Sequence, residues 1–220
     1  MKLTASILLF QCAGLLFALS LRADVIDRIA ASIDYRVITQ SDLERQIRVT
    51  AFQDGVKPDL SPKHKREMLQ TMIDQKLIQS DLENSRYPLP DPAALLPVIQ
   101  QFKRDQFPSE AEYRLRLSQY GITEQDFKDL LLWQRTLLQF IEVRFESAEP
   151  PTDREISDYF EKTVKPAAMA AHPGEQVRLE DYREQIGKKL AAARADRQLE
   201  AWLQGARRRS QIVIHEEALK

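Results

Sequence analysis

Residues 158–185 read DYFEKTVKPAAMAAHPGEQVRLEDYREQ and join two segments with helical patterns. The pair Tyr159-Phe160 closes the first segment, and Leu179 and Tyr182, three residues apart, open the second. Two prolines, a glycine and a run of small residues lie between them, a composition that favours a loop over a helix. We therefore predict a helix that ends near Lys162, a linker over residues 163–177, and a second helix.

Helix signals fill most of the chain around this stretch. Ser41 with Glu44 has capping-box spacing, with Thr39 as the alternative N-cap, and Ser61-Pro62 places proline at a first helical position. Gly121 ends another segment, and Thr123 is the expected cap of the next. The predicted helices span residues 41–52, 62–84, 92–106, 109–119, 123–146, 152–162 and 179–208.

Strand-like patterns occur only at the two ends of the chain after the first 23 residues. Residues 25–38 are rich in isoleucine and valine and contain a turn signal at Asp34-Tyr35, which indicates two short strands or a hairpin. The run 212–214, Ile-Val-Ile, is typical of a strand. The predicted fold class is mainly α, with one small β element.

The N-terminal residues have the pattern of a secretory signal. Lys2 precedes an apolar stretch over residues 7–21, and Ala23 offers a small residue for cleavage before Asp24. Residues 1–23 are therefore predicted to direct export to the periplasm, with a retained membrane anchor as the alternative. Cleavage would also remove Cys12, the one cysteine of the sequence, and with it any cysteine nucleophile or thiolate metal site. A net charge of −1 over 220 residues does not favour nucleic-acid binding.

Catalytic motifs do not emerge from the sequence. His64, His172 and His215 lie on different predicted elements without ligand spacing, and no H-E-x-x-H, G-x-S-x-G or phosphate-binding loop occurs. The acidic residues alternate with lysine and arginine, as exposed ion pairs do. We expect no catalytic residues, no metal and no cofactor.

Apolar surface is the more informative signal. On the helix predicted over residues 123–146, one stripe at three- and four-residue spacing predicts the core face; it consists of Phe127, Leu130, Leu131, Leu137, Leu138, Ile141 and Phe145. A second apolar face is either further core or part of a groove for unfolded segments, to which pliable methionines of the 62–84 helix contribute. The candidate client-binding residues are Met68, Met72, Leu132, Trp133, Phe140 and Val143.

Four stretches, taken in order, resemble the SurA-like periplasmic chaperones. They are VIDRIAASIDYRVITQSDLERQI from residue 25, REMLQTMIDQKLIQSDLE from residue 66, YGITEQDFKDLLLWQRTLLQFIEVRF with the PPTDREISDYFEK that follows it, and LEDYREQIGKKLAAARADRQLEAWLQGARRRSQIVI from residue 179. The resemblance covers nearly all the chain after residue 23. In that family, parvulin-type prolyl isomerase domains sit between the short helix and the closing helix.

The resemblance implies a chaperone module without the isomerase, since residues 163–177 fall far short of the ~50 that a domain needs. Residues 24–162 would form the helical region, and residues 178–220 would complete the same module with a helix and a strand. It also implies that the N-terminal and C-terminal strands share one sheet. The expected function is ATP-independent binding of unfolded polypeptides, with outer-membrane protein precursors as candidate clients.

Three other functions stay open at this point. An overlooked prolyl isomerase would need a catalytic domain, and a structural or adaptor subunit would bind one folded partner rather than many clients. A helix-turn-helix regulator is opposed by the signal segment and by the charge.

Overall fold

The computed structural model describes residues 27–85, 87–146, 150–171, 174 and 176–220. Within these ranges the protein is mainly helical, with one three-stranded antiparallel sheet. The predicted fold class is therefore confirmed. The predicted signal segment and the start of the first predicted strand, Val25-Ile26, lie outside the described residues.

The sheet joins the two ends of the described chain. Strand β1 (Ile29–Ile33) forms a hairpin with β2 (Arg36–Thr39), and β3 (Ile212–Ile214) pairs with the other edge of β1. The hairpin turns at Asp34, whose φ of 52° lies in the left-handed region that aspartate tolerates better than most residues. The register sets Ala31 opposite Ile214, so the expected pairing of terminal strands is confirmed.

Two helices cover one face of the sheet. Helix α1 (Gln40–Gln53) begins at Thr39, which forms a capping box with Asp42. The predicted box of Ser41 with Glu44 is therefore wrong, because the helix begins two residues earlier and the Ser41 hydroxyl donates instead to the Asp27 carboxylate. Helix α2 (Pro62–Asn84) has the predicted bounds, with Ser61 as its N-cap.

A second group of helices surrounds an aromatic core. A 3-10 turn (Pro92–Leu95) leads into α3 (Leu96–Gln106), followed by α4 (Glu110–Tyr120) and α5 (Glu124–Ile141). Gly121 ends α4 at a φ of 64°, where a side chain would be strained, and Thr123 then caps α5. The core that these helices form with α1 includes Val49, Phe52, Leu95, Ile99, Tyr113, Leu117, Phe127, Leu130 and Leu131.

The segment predicted as a linker is partly helical. Helix α5 continues as a π-helical turn (Glu142–Glu146). Helix α6 (Asp153–Tyr159) continues through a second π turn (Phe160–Val164) into α7 (Lys165–Ala171). The predicted end of the helix near Lys162 is wrong, because a wider π turn precedes Pro166 and the small residues after it are good helix formers.

The closing helix, α8 (Leu179–Arg209), ties the module together. Its N-terminal half packs on α6 and the second π turn around Ile156, Phe160 and Ile186. Its C-terminal half packs on α2, where the Arg207 guanidinium donates to the Asp74 carboxylate at 2.7 Å. After β3, a 3-10 turn (Glu216–Leu219) buries Leu219 in the sheet core, so the C-terminal residues complete the same module.

Candidate functional site

A cleft separates α2 from α5. Helix α1 packs against both of them, but the side chains of α2 and α5 leave two adjoining hollows of about 320 and 300 Å³. Gln79, Asp129 and Trp133 line both hollows, so together they form one groove. We refer to it as the α2/α5 cleft.

Apolar side chains line part of both hollows, and we call this part the floor of the cleft. The hollow beside α1 contains Met72, Leu130 and Trp133, with Ile38 and Val49 at its end. The hollow beside the proline-rich loop after α2 is lined by the apolar residues Leu82, Leu89 and Leu132 as well as Trp133. Leu89 is 67% exposed, so most of its apolar surface is available to a ligand in this hollow.

Polar side chains form the rims, and several of them are already engaged. Asp42 and Asp126 accept the N–H groups of Thr39 and Thr123 in the two capping boxes. Arg45 pairs with Asp42 at 3.1 Å. These groups position α1 and α5 and stabilise their N-termini.

Four donor groups of the cleft have no such engagement. The side chains of Gln75, Lys76, Gln79 and the indole N–H of Trp133 make no hydrogen bond or ion pair within the described chain. All four residues are half-buried. Their polar atoms are not among the buried unpaired ones, so they reach the open cleft and can donate to a ligand that brings acceptors.

Three of the predicted client-binding residues line this cleft. Leu132 and Trp133 are half-buried there. Met72 contributes to the floor, but it is only 7% exposed and belongs chiefly to the sheet core.

The other three predicted residues lie elsewhere. Phe140 is 1% exposed and packs among α2, α8 and the first π turn, so it offers no surface and the prediction of a groove residue is wrong for it. Met68 is half-buried against the sheet core. Val143 is 43% exposed but lines neither hollow of the cleft.

Sequence reasoning missed several residues of the cleft. Gln75 and Gln79 are one helical turn apart on the polar side of α2, a pattern that reads as an ordinary solvated face. Leu89 offered a better signal, because it is a lone large apolar residue in the loop containing Pro88, Pro90 and Pro92. The residues next to it in the sequence cannot bury a leucine in such a loop.

A separate hollow, of about 400 Å³, lies outside the α2/α5 cleft, between α7 and the N-terminal half of α8. Its walls are Tyr159, Val164 and Ile186 with three alanines of α7. Met169, on the same helix, is 54% exposed.

The residues with marked pKa shifts line neither the α2/α5 cleft nor the hollow beside α7. Burial raises the pKa of Tyr113, whose ring is covered by the Lys103 ammonium at 4.1 Å. The hydrogen bond from Lys128 and the further bond from Lys103 lower the pKa of Glu124. This cluster closes the aromatic core around α4, and none of the hollows we describe is lined by Tyr113, so we assign it a structural role.

Among the residues that the structure describes, no group of three or more histidine, cysteine or acidic side chains could hold a metal ion. No helix in the same part of the chain combines the length and apolarity needed to cross a membrane.

The fold and the cleft together define a mainly helical protein with an open groove that is part apolar and part polar. No protein-family model matches this chain, and a search of curated proteins finds no match.

Proposed function

We propose that this protein is an exported, ATP-independent chaperone of the SurA-like kind, which holds unfolded polypeptides and has no isomerase domain. The observation that carries the proposal is the α2/α5 cleft, with its apolar floor and its unengaged donors. Such a surface shelters an apolar segment of a client and leaves polar rims through which water returns when the client leaves.

The architecture is consistent with this proposal. The resemblance implies one module in which the first and last strands share a sheet, and β1 and β3 do pair. Residues 163–177, where the isomerase domain would be inserted in the family, hold the end of a π turn and the short helix α7.

The test compares two exposed leucines. Leu89 and Leu138 are 67% and 62% exposed, but only Leu89 lines the cleft. A serine at either position should change the free energy of unfolding by no more than about 0.5 kcal/mol. Burial of a leucine against a client contributes about 1.5–3 kcal/mol, so Leu89→Ser should weaken client binding and Leu138→Ser should not.

The assay is light scattering after dilution of a chemically unfolded outer-membrane β-barrel protein. The wild-type protein should suppress aggregation without nucleotide, Leu138→Ser should equal it, and Leu89→Ser should need about tenfold more protein or beyond. A wild-type protein that suppresses nothing, or two variants with equal effects, would refute the proposal.

Export and the competing functions have their own measurements. N-terminal sequencing of the periplasmic protein should find a mature chain that begins near Asp24, whereas an intact Met1 in the cytosol contradicts export. Acceleration of prolyl isomerisation in a protease-coupled peptide assay would favour the isomerase. Capture of one stoichiometric partner from the periplasm, rather than many clients, would favour an adaptor.

A further inference from the structure

Three of the four unengaged donors of the α2/α5 cleft belong to α2. Gln75, Lys76 and Gln79 line the cleft from α2, and Trp133 adds its indole N–H from α5. None of the four bonds to another described group. A neighbouring pair behaves differently, since Gln53 and Gln134 exchange two hydrogen bonds of 3.2 and 2.8 Å across α1 and α5.

The opposite wall of the cleft presents an acceptor. Asp129 of α5 lines both hollows and accepts one hydrogen bond of 2.8 Å, from the Gln125 amide of its own helix. Its carboxylate has capacity for more. A ligand that lies between α2 and α5 therefore meets three donor side chains on the α2 side, and the Trp133 indole with a partly free carboxylate on the α5 side.

The spacing of the two glutamines matches an extended polypeptide. Gln79 is four residues after Gln75, which is a rise of about 6 Å along α2. In an extended chain, the N–H and C=O of every second residue point to the same edge, with a repeat of about 6.6 Å. Each glutamine amide carries both a donor and an acceptor, so it can pair with both groups of one such residue.

We propose that Gln75 and Gln79 bind the backbone of an extended client segment, at two residues of the same edge, while Trp133 and Leu89 take its apolar side chains. This inference rests on the proposed function and explains how the same cleft would select its clients. Lys76 adds a donor for a further carbonyl, and Asp129 accepts from the other edge of the segment.

The selection that follows is for conformation rather than for sequence. A helical segment has already paired its backbone groups internally and cannot engage the glutamines. From Met72 to Glu83 the cleft wall rises about 16 Å, which holds about five extended residues. Because backbone groups are common to nearly all residues, many unrelated clients should fit.

The experiment measures binding of a short fluorescent peptide of alternating serine and leucine by anisotropy. A matched peptide carries backbone esters in place of the amides of consecutive central residues, which removes N–H donors on both edges but keeps the trans, planar geometry. The variant combines Gln75→Ala with Gln79→Ala. Its control combines Gln100→Ala with Gln119→Ala, two exposed glutamines outside the cleft.

The wild-type protein and the control should bind the amide peptide about tenfold or more tightly than the ester peptide, as the loss of two or more hydrogen bonds predicts. The cleft variant should bind the amide peptide as weakly as the ester peptide, yet keep the wild-type melting temperature. Equal affinity of the wild-type protein for both peptides overturns the inference but leaves the proposed function standing, provided that client aggregation is still suppressed.

Other occupants of the cleft give different results. A cross-linked helical version of the peptide that binds as tightly as the extended one overturns backbone recognition. A wild-type protein that dimerises in sedimentation, and becomes monomeric when the two glutamines are replaced, shows a second copy of the chain in the cleft and overturns it too. Failure of the wild-type protein to bind any peptide or client overturns both proposals.

Discussion

Replacement of Phe140 by alanine should cost about 3–5 kcal/mol of unfolding free energy, the range for truncating a buried phenylalanine. Phe140 is 1% exposed, and its ring contacts those of Tyr87, Phe145 and Trp202 at centroid distances of 5.7, 5.7 and 5.4 Å. The value should fall in the upper part of the range, because each such aromatic contact contributes about 0.5–1.5 kcal/mol beyond its buried area. The loss is expected because four elements meet at this ring, so the cavity cannot collapse easily.

Urea denaturation followed by tryptophan fluorescence measures this cost. The matched control is Leu138→Ala, two residues earlier on α5 and 62% exposed, which should change the unfolding free energy by no more than about 0.5 kcal/mol. A loss below about 1 kcal/mol for Phe140→Ala would show that the ring is accessible and would restore it as a candidate client contact.

Three further predictions concern stability. Truncation after Arg209 removes β3 and the buried C-terminal turn, so it should lower stability by several kcal/mol, at about 1.5–3 per buried side chain; an unchanged melting temperature would contradict the strand pairing. Tyr113→Phe should leave the melting temperature unchanged or raise it, because the buried hydroxyl has no hydrogen-bond partner among the described residues. The pKa of the Glu44 carboxyl lies below its usual 4.5 because Gln40 and then Lys65 donate hydrogen bonds to it. The ionised carboxylate therefore stabilises the fold above pH 4.5, and this contribution is lost as the pH falls through the lowered pKa. Urea titrations at several pH values should therefore show a flatter acid limb for Glu44→Gln than for the wild-type protein.

Local signals were sufficient for most helix boundaries. Ser61 with Pro62, Gly121 and Thr123 act through their own backbone geometry and side-chain oxygens, so their effects do not depend on distant residues. The hairpin turn at Asp34 is local in the same sense. The prediction failed at the π turn that leads into α7, where the wider turn has no sequence signature of the same strength.

The candidate site was only partly predictable, because α5 is apolar on two sides. At about 100° per residue, Leu138 lies within about 20° of Phe127 around the helix axis, whereas Phe140 lies about 140° away. A single core face would bury Leu138 and expose Phe140, which is the reverse of what the structure has.

The physical reason is that α5 belongs to two cores in succession. Its N-terminal half packs with α1, α3 and α4 around Phe127, and its C-terminal half packs with α2 and α8 around Phe140. The buried face therefore rotates along the helix, and Trp133 lies at the crossover beside the cleft.

The sequence by itself determined the helical class, most helix boundaries and the terminal strands, because these follow from neighbours within a few residues. Only the tertiary structure decided which apolar side chains are core and which line the cleft, because that depends on the helices that α5 meets along its length.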